Sequence, residues 1–454
     1  MKHVLIVDDD VAVTNYFKVF IAQTGRFEST VVNDSRRVMD LLEENDYDLV
    51  LLDMDMPNVT GMDILNSMKQ KQIEVPVIVL TGVNDIDLAV KSMKLGVFDY
   101  LIKPVDDDKL LEIIDDALEH RSLHRSIDEL PSELTRKELA NVDAFEYLPS
   151  RDPEMIRMFH QAEKLAASDL SLFIWGESGT GKEALARAIH NASPRRARPF
   201  VAVEANNFEA DQLPAFVFGQ VRSLSGTREV KPGFVEEADE GTLFLNNIEH
   251  FNYPMQTRLK RLIQTHEYYR ESSARIRKTD VRIIASSTRD LTAPEYEDCF
   301  SRDLLYHLMI NSIRIPPLRD RTVDITLLAE HFMKEQAKRT DKDIRGFSDE
   351  AVELLEDYDY PNNVRELKTV VASAVTKAEG EIIGPEALPR TVGGISSLRR
   401  RDGKREFEPR KLDEIIEDQV RKTVDYFDGK RERAAEQLGI SIEKINSIMD
   451  TRDS

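Results

Sequence analysis

An apolar run, Ser171–Trp175, leads straight into Gly176, Glu177, Ser178, Gly179, Thr180, Gly181, Lys182 and Glu183, and a helical pattern follows from Ala184 to Asn191. The spacing fits G-x-x-x-x-G-K, whose glycines turn backbone N–H groups toward phosphate at a helix N-terminus and whose lysine reaches the terminal phosphates. Such a loop needs a strand before it and a helix after it, so this part of the chain is expected to be an α/β layer structure. A second stretch contradicts the first. In an ATPase of this pattern the apolar strand Leu243 to Leu245 would end in an acidic pair, one carboxylate for magnesium and one to polarise an attacking water, yet Asn246 and Asn247 stand there. An amide is no general base. The sequence therefore predicts a site that holds a nucleotide and lacks the groups that would break it.

At 454 residues and 41% apolar content the chain has material for about two to four domains with ordinary cores. No apolar run approaches the roughly 18 residues of a membrane span, and the run Val4–Val7 is followed by three aspartates rather than a cleavage region. A soluble, cytoplasmic protein with no membrane partner is expected. The single cysteine, Cys299, excludes an internal disulfide and a cysteine-based zinc site. A formal charge of −21 argues against indiscriminate nucleic-acid binding by the whole molecule but leaves room for a local basic module.

Five stretches follow one another. Residues 1–122 alternate strand-like runs (Val4–Val7, Leu49–Leu52, Val77–Leu80, Tyr100–Ile102) with helical patterns, as in a doubly wound parallel sheet. A charged linker or signalling helix, 123–144, leads to a second α/β unit, 145–317, with strands Ser171–Trp175, Phe200–Val203, Thr242–Leu245 and Val281–Ser286. A helical lid covers 318–390. Residues 391–410 mix Gly, Ser, Arg and Glu as a tether does, and 411–454 form a small helical tail.

Ligands of doubly wound sheets sit at the carboxyl ends of the strands. In the first unit those ends carry Asp8 and Asp9, Asp53, Thr81 and Lys103. Converging carboxylates suit magnesium. Asp53 would attack a phosphoryl donor to form an acyl phosphate, and Lys103 and the Thr81 hydroxyl would bind the new phosphate oxygens. With Asp53-Met-Asp-Met-Pro57, Leu80-Thr-Gly82 and Tyr100-Leu-Ile-Lys-Pro104, residues 2 to 120 resemble the response-regulator receiver family. The resemblance implies a flavodoxin-like fold, Asp53 as phosphorylation site, magnesium on Asp8 and Asp9 with the Asp55 carbonyl, and Tyr100 as an aromatic that reorients on activation. It also implies a cognate sensor histidine kinase. Asp10 has no fixed role.

The loop Gly176–Glu183, the words Gly241-Thr-Leu-Phe-Leu245, Pro316-Pro-Leu-Arg319 and Asn363-Val-Arg-Glu-Leu367 make residues 145–390 similar to the AAA+ domain of NtrC-type enhancer-binding proteins. That resemblance implies ATP or ADP as ligand, Glu183 as the family's form of the loop and Arg365 as the lid's sensor arginine. It also exposes departures. The acidic pair is Asn246-Asn247, the asparagine that holds the family's catalytic glutamate is Glu204, and Thr288 replaces a sensor asparagine. The arginine-finger positions fall by register on Ser301 and His307, with Arg302 one residue off. The sigma-54 contact loop after Phe218-Gly219 is one residue short, with Leu224 where the contacting phenylalanine belongs. A finger contributes about 10³ to 10⁵ in rate and a general base about 10² to 10⁴, so little hydrolysis is expected.

In the tail, Ile415, Ile416, Val420, Val424 and Phe427 mark one helix face, a candidate homodimer surface. Arg433 to Ser441 then reads as helix, Gly turn and a second helix capped by Ser441, resembling a Fis-type helix-turn-helix. Its second helix offers only Lys444 and Asn446 for bases or phosphates, with Glu443 opposing; further basic residues are Arg399–Arg401, Lys404, Arg405, Lys430, Arg431 and Arg433. The expected whole is a two-component, DNA-binding transcription regulator, a homodimer or larger ring, with doubtful contact to sigma-54 and RNA polymerase. The rivals are an active sigma-54 activator ATPase using Glu204 or Glu249 as base and Arg302 as finger, and a phosphorylation-controlled scaffold without DNA binding.

Overall fold

The computed structural model describes residues 1–82, 92, 95–131, 133–224, 227–296, 299–392, 420, 423–424, 431–438 and 441–450. Contacts divide the chain into two units, Met1–Val392 and Gly393–Ser454.

The first sheet has five parallel strands: β1 (Lys2–Val7), β2 (Phe27–Val32), β3 (Leu49–Asp53), β4 (Val77–Thr81) and β5 (Asp99–Ile102), in the order β2-β1-β3-β4-β5. Helices cover both faces, so the central strands are buried on both sides and read as continuous apolar runs. Successive residues alternate between two cores: Val4 and Ile6 pack with Leu49 and Leu51 on one face, Leu5 and Val7 with Val50 and Leu52 on the other. The apolar runs stop where the strands emerge at one edge, at Asp8, Asp53, Thr81 and, after β5, Lys103. Asp10, which the sequence left without a role, caps the helix Val11–Gln23 by accepting from the Ala12 N–H at 2.7 Å.

The helix Asp107–Asp128 starts against this sheet and ends against the core of a second one. Leu110, Ile113, Ile114, Ala117 and Leu118 pack into the first core, whereas Leu123 and Ile127 pack on the second. The boundary expected at 122–123 falls inside this helix, where the apolar stripe ending at Leu118 gives way to a new i, i+4 pair, Leu123 and Ile127, facing the second core. Residues placed in the linker are packed as well: Leu139 is buried, and Asn141 N–H donates to Glu163 at 2.6 Å.

The second sheet is also five-stranded and parallel. Its order is Ser312–Arg314, Leu172–Trp175, Arg282–Ser287, Thr242–Asn246, Phe200–Glu204. Register places Asn246 opposite Glu204. A separate core built by the helices Val323–Thr340, Asp349–Glu356 and Asn363–Lys377 forms the lid.

In the tail unit, helices Arg431–Leu438 and Ile442–Asp450 flank 439–440, and Ser441 caps the second through the Lys444 N–H at 3.3 Å. Arg431 donates to the Asn446 side chain at 2.8 Å, so two candidate DNA contacts bind each other. Of the expected homodimer helix 412–427 only Val420, Thr423 and Val424 are described, and Arg399–Arg401, Lys404, Arg405 and Lys430 lie outside the described residues. No described helix is long and apolar enough to cross a membrane.

Candidate functional site

At the first sheet edge, Asp53 is 6% exposed and Asp8 1%. The Lys103 ammonium lies between them, donating to Asp8 at 2.6 Å and to Asp53 Oδ1. Asp53 Oδ2 accepts the Asp55 N–H at 2.9 Å, and Thr81 is buried beside them. Burial raises the Asp53 carboxyl above its ordinary range, partly opposed by its bond to Lys103. Asp9 is exposed, and among the described residues no group of three or more His, Cys, Asp and Glu is arranged to hold a metal. Of the four aspartates expected at magnesium, the geometry brings together two carboxylates, with Asp55 adjoining through its backbone.

In the second unit the glycine loop folds as its spacing predicts. Gly179 (φ 77°) and Gly181 (φ 109°) occupy the left-handed region, and Gly181 caps the helix Lys182–Ala192. Lys182 is 5% exposed and donates to the carbonyls of Gly176 (2.7 Å) and Glu177 (3.0 Å). Burial pulls its pKa down to about 8, with Arg365 adding to the fall while Glu249 and Glu204 hold it up. Thr180 bonds back to Glu177 O at 2.9 Å, and Glu183 points outward to Arg187 at 3.1 Å.

The lid clasps this loop. Arg319 forks onto both Glu177 oxygens at 2.8 and 2.6 Å, Asn363 donates to Ser178 O at 2.9 Å, and Arg365 donates to Ser178 Oγ at 3.1 Å. Arg319 and Asn363 were visible in the sequence only as parts of recurring words. Their attachment to the loop crosses 142 or more residues of chain.

Asn246 and Asn247 do not stand idle. Both amides donate to Glu204, Asn247 at 2.9 Å to one oxygen and Asn246 to the other. Asn246 Oδ1 accepts from the buried Ser286 hydroxyl. One carboxylate thus meets two amides across neighbouring strands. Thr288, expected from the resemblance to replace a sensor asparagine, is tied to Glu249 Oε1 through its N–H at 3.0 Å and its hydroxyl. Glu249 Oε2 is buried with no hydrogen-bond partner among the described residues.

The expected finger positions are otherwise engaged. Ser301 caps the helix Arg302–Met309 by accepting the Leu304 N–H at 3.3 Å. His307 is 8% exposed and faces the first unit: its Nε2 lies 2.7 Å from the Gln264 amide, 3.4 Å from Asp303 and 3.9 Å from Asp99 on β5. Lys260, paired with Asp303, sits 5.9 Å from the centre of the Tyr100 ring. Strand β5 therefore touches the helices Tyr253–Thr265 and Arg302–Met309 through Asp99 and Tyr100, four residues or fewer from Lys103.

Residues 4–115 match the response regulator receiver domain, 148–314 the Sigma-54 interaction domain and 319–403 the AAA+ ATPase lid domain. The transcriptional regulatory protein ZraR of Escherichia coli K12 is 34% identical over 439 residues, 96% of each chain. The regulatory protein AtoC of the same organism is 34% identical over 454 residues, 97% of this chain and 95% of its own. The chain belongs to the NtrC-type sigma-54 response regulators. NtrX from Brucella abortus, solved in complex with ATP, is 25% identical, with a TM-score of 0.51 over 99% of both chains.

The stretch expected to be the sigma-54 contact loop forms a hairpin, Gln220–Leu224 with Thr227–Lys231, whose tip, 225–226, and Leu224 side chain lie outside the described residues.

Proposed function

We propose that this response regulator is phosphorylated on Asp53 by a sensor histidine kinase and controls transcription with an AAA+ domain that holds ATP or ADP without hydrolysing it. The observation that carries the second half is the end of the Thr242–Asn246 strand. Two amides occupy it, and both are committed to Glu204. The finger positions add support, since Ser301 is used as a cap and His307 is turned toward the receiver. In the receiver, Asp8, Asp53 and the Asp55 carbonyl supply hard oxygen donors of the kind magnesium takes, and magnesium bound there would offset charge on an incoming phosphoryl group. DNA contact through the tail, a homodimer or larger ring, and residual contact with sigma-54 and RNA polymerase complete the proposal.

The test measures ATP binding and turnover on one purified sample, with and without Asp53 phosphorylation, beside an Asn246→Asp, Asn247→Glu variant. Binding with phosphate release at background, both independent of the Asp53 state, is the expected result. Phosphate release abolished by Lys182→Ala would overturn it and favour the rival activator ATPase. One observation favours that rival: a carboxylate, Glu204, meets the two amides at the strand end.

Binding should also depend on pH with a defined sign. Phosphate favours the charged lysine, and the free Lys182 loses its proton near pH 8. ADP affinity is expected to be flat below about pH 8 and to weaken above it, by at most about tenfold per unit for one linked proton. Titration calorimetry from pH 6.5 to 9.5 reads this, and an equally flat profile above pH 8 would remove Lys182 from the phosphate site.

A further inference from the structure

Strand β5 leads into Lys103 at one end and is gripped by the AAA+ domain at the other. It is an edge strand, hydrogen-bonded only to β4, from Ile78 opposite Asp99 to Thr81 opposite Ile102. His307 Nε2 lies 3.9 Å from Asp99, whose Oδ1 also accepts the Tyr100 N–H at 2.7 Å. Lys260 holds its ammonium 5.9 Å from the centre of the Tyr100 ring. Both cations share Asp303, which pairs with Lys260 and lies 3.4 Å from His307. Beside them Ile310 packs on the receiver core, its carbonyl 3.2 Å from His120 Nε2.

The grip bears on Asp53 through the position of Lys103. That ammonium donates to Asp8 at 2.6 Å and to Asp53 Oδ1, while Asp53 Oδ2 accepts the Asp55 N–H at 2.9 Å, so both oxygens of the acceptor are engaged. To take a phosphoryl group, Asp53 must free an oxygen for phosphorus, and Lys103 must turn from the carboxylate to the new phosphate oxygens. Lys103 is also tied through its own N–H to Thr81 O at 2.8 Å, so its backbone belongs to the sheet edge. From Tyr100 to Lys103 is about 10 Å of extended chain, and a hydrogen-bonded strand that short shifts as a piece. Pinning it at Asp99 and Tyr100 resists the shift of Lys103.

Resting on the reading of Asp53 as the phosphorylated residue, we infer that Lys260 and His307 are positioning residues for that phosphorylation: through β5 they hold Lys103 on Asp8 and Asp53 and restrain uptake of the phosphoryl group. The coupling runs both ways, because contacts that favour the unphosphorylated edge are weakened when it is phosphorylated. The AAA+ domain thereby sets how readily its own receiver responds. His307, at an expected finger position, acts within its own chain.

The experiment follows initial rates of label uptake from acetyl phosphate with magnesium in the full chain, for wild type, Lys260→Met, Lys260→Arg, His307→Gln and Asp53→Asn. In this reaction a carboxylate oxygen bonds to phosphorus as the bond from phosphorus to the acetyl oxygen breaks, and acetate leaves. Lys260→Met keeps the stem without the charge and is expected to take label at least about fivefold faster, the low end of coupling between sites. Lys260→Arg keeps the charge and should stay within about twofold of wild type, a rescue that a merely structural lysine would not show. His307→Gln should also accelerate uptake and carries the test if Lys260→Met fails to fold. Hydrogen exchange should quicken in 253–265 and 302–309 when the wild type is labelled. Unchanged or slower uptake in Lys260→Met and His307→Gln would overturn the inference, as would a Lys260→Arg rate raised as far as that of Lys260→Met, or exchange that labelling leaves unchanged in both helices. Failure of the parent reading looks different: the wild type takes no more label than Asp53→Asn.

Discussion

Replacing Asp53 with Asn is expected to reduce incorporation of phosphate from acetyl phosphate or a sensor kinase to background while leaving the receiver folded. An acyl phosphate forms only if a carboxylate oxygen attacks phosphorus, and the amide has no such nucleophile. The substitution is otherwise gentle. Asn keeps the shape of Asp and an oxygen for the Asp55 N–H, and Lys103 retains its 2.6 Å partner in Asp8. Stability has a sign of its own. Burial places the folded-state pKa of Asp53 above its unfolded value, so the ionised group costs stability that grows as pH rises through that window. Asn removes this cost, and the thermal midpoint at neutral pH should not fall. Phosphate label that persists in the variant would move the acceptor to another carboxylate, and a midpoint lowered by several degrees would mean that Asp53 also organises the edge.

Gly179→Ala is expected to lose nucleotide binding and to destabilise the AAA+ unit by about 3 kcal/mol, the sum of a left-handed alanine and an overpacked contact. The residue sits at φ 77°, and a Cβ there would lie 2.1 Å from Asn362 O and 3.0 Å from Arg365 Cβ. The nearest of these is a backbone atom, so the loop and lid must separate rather than a side chain turning aside. Separation breaks the bonds from Arg365 and Asn363 to Ser178 and pulls on the fork from Arg319 to Glu177. Calorimetry with ADP and thermal unfolding read the two effects. A variant that binds ADP and melts like the wild type would show that the lid does not clasp the loop in solution.

The receiver edge was legible because a parallel sheet with helices on both faces puts every strand's carboxyl end on one side. Asp8, Asp53, Thr81 and Lys103 each end or follow an apolar run, so order along the chain placed them. The glycine loop was legible for the same reason: its conformation is local. Within the two five-stranded sheets, two of the described strands escaped the sequence reading. Phe27–Val32 is an edge strand buried only at its ends, and Ser312–Arg314 is three residues long, so neither gives a clear apolar run.

What the sequence alone determined about this regulator are the features that depend on neighbours along the chain: strands bounded by polar residues, a phosphate loop, and the replacement of an acidic pair by Asn246 and Asn247. Tertiary structure decided what those residues do. It set Glu204 against both amides across 42 and 43 residues, Arg319 and Asn363 on the loop, and His307 and Lys260 beside Asp99 and Tyr100 of the receiver. The physical reason is the range of the interactions. Periodicity and backbone conformation follow from adjacent residues, whereas a hydrogen bond or a charge acts over a few ångströms and cannot be assigned until folding has set the side-chain directions.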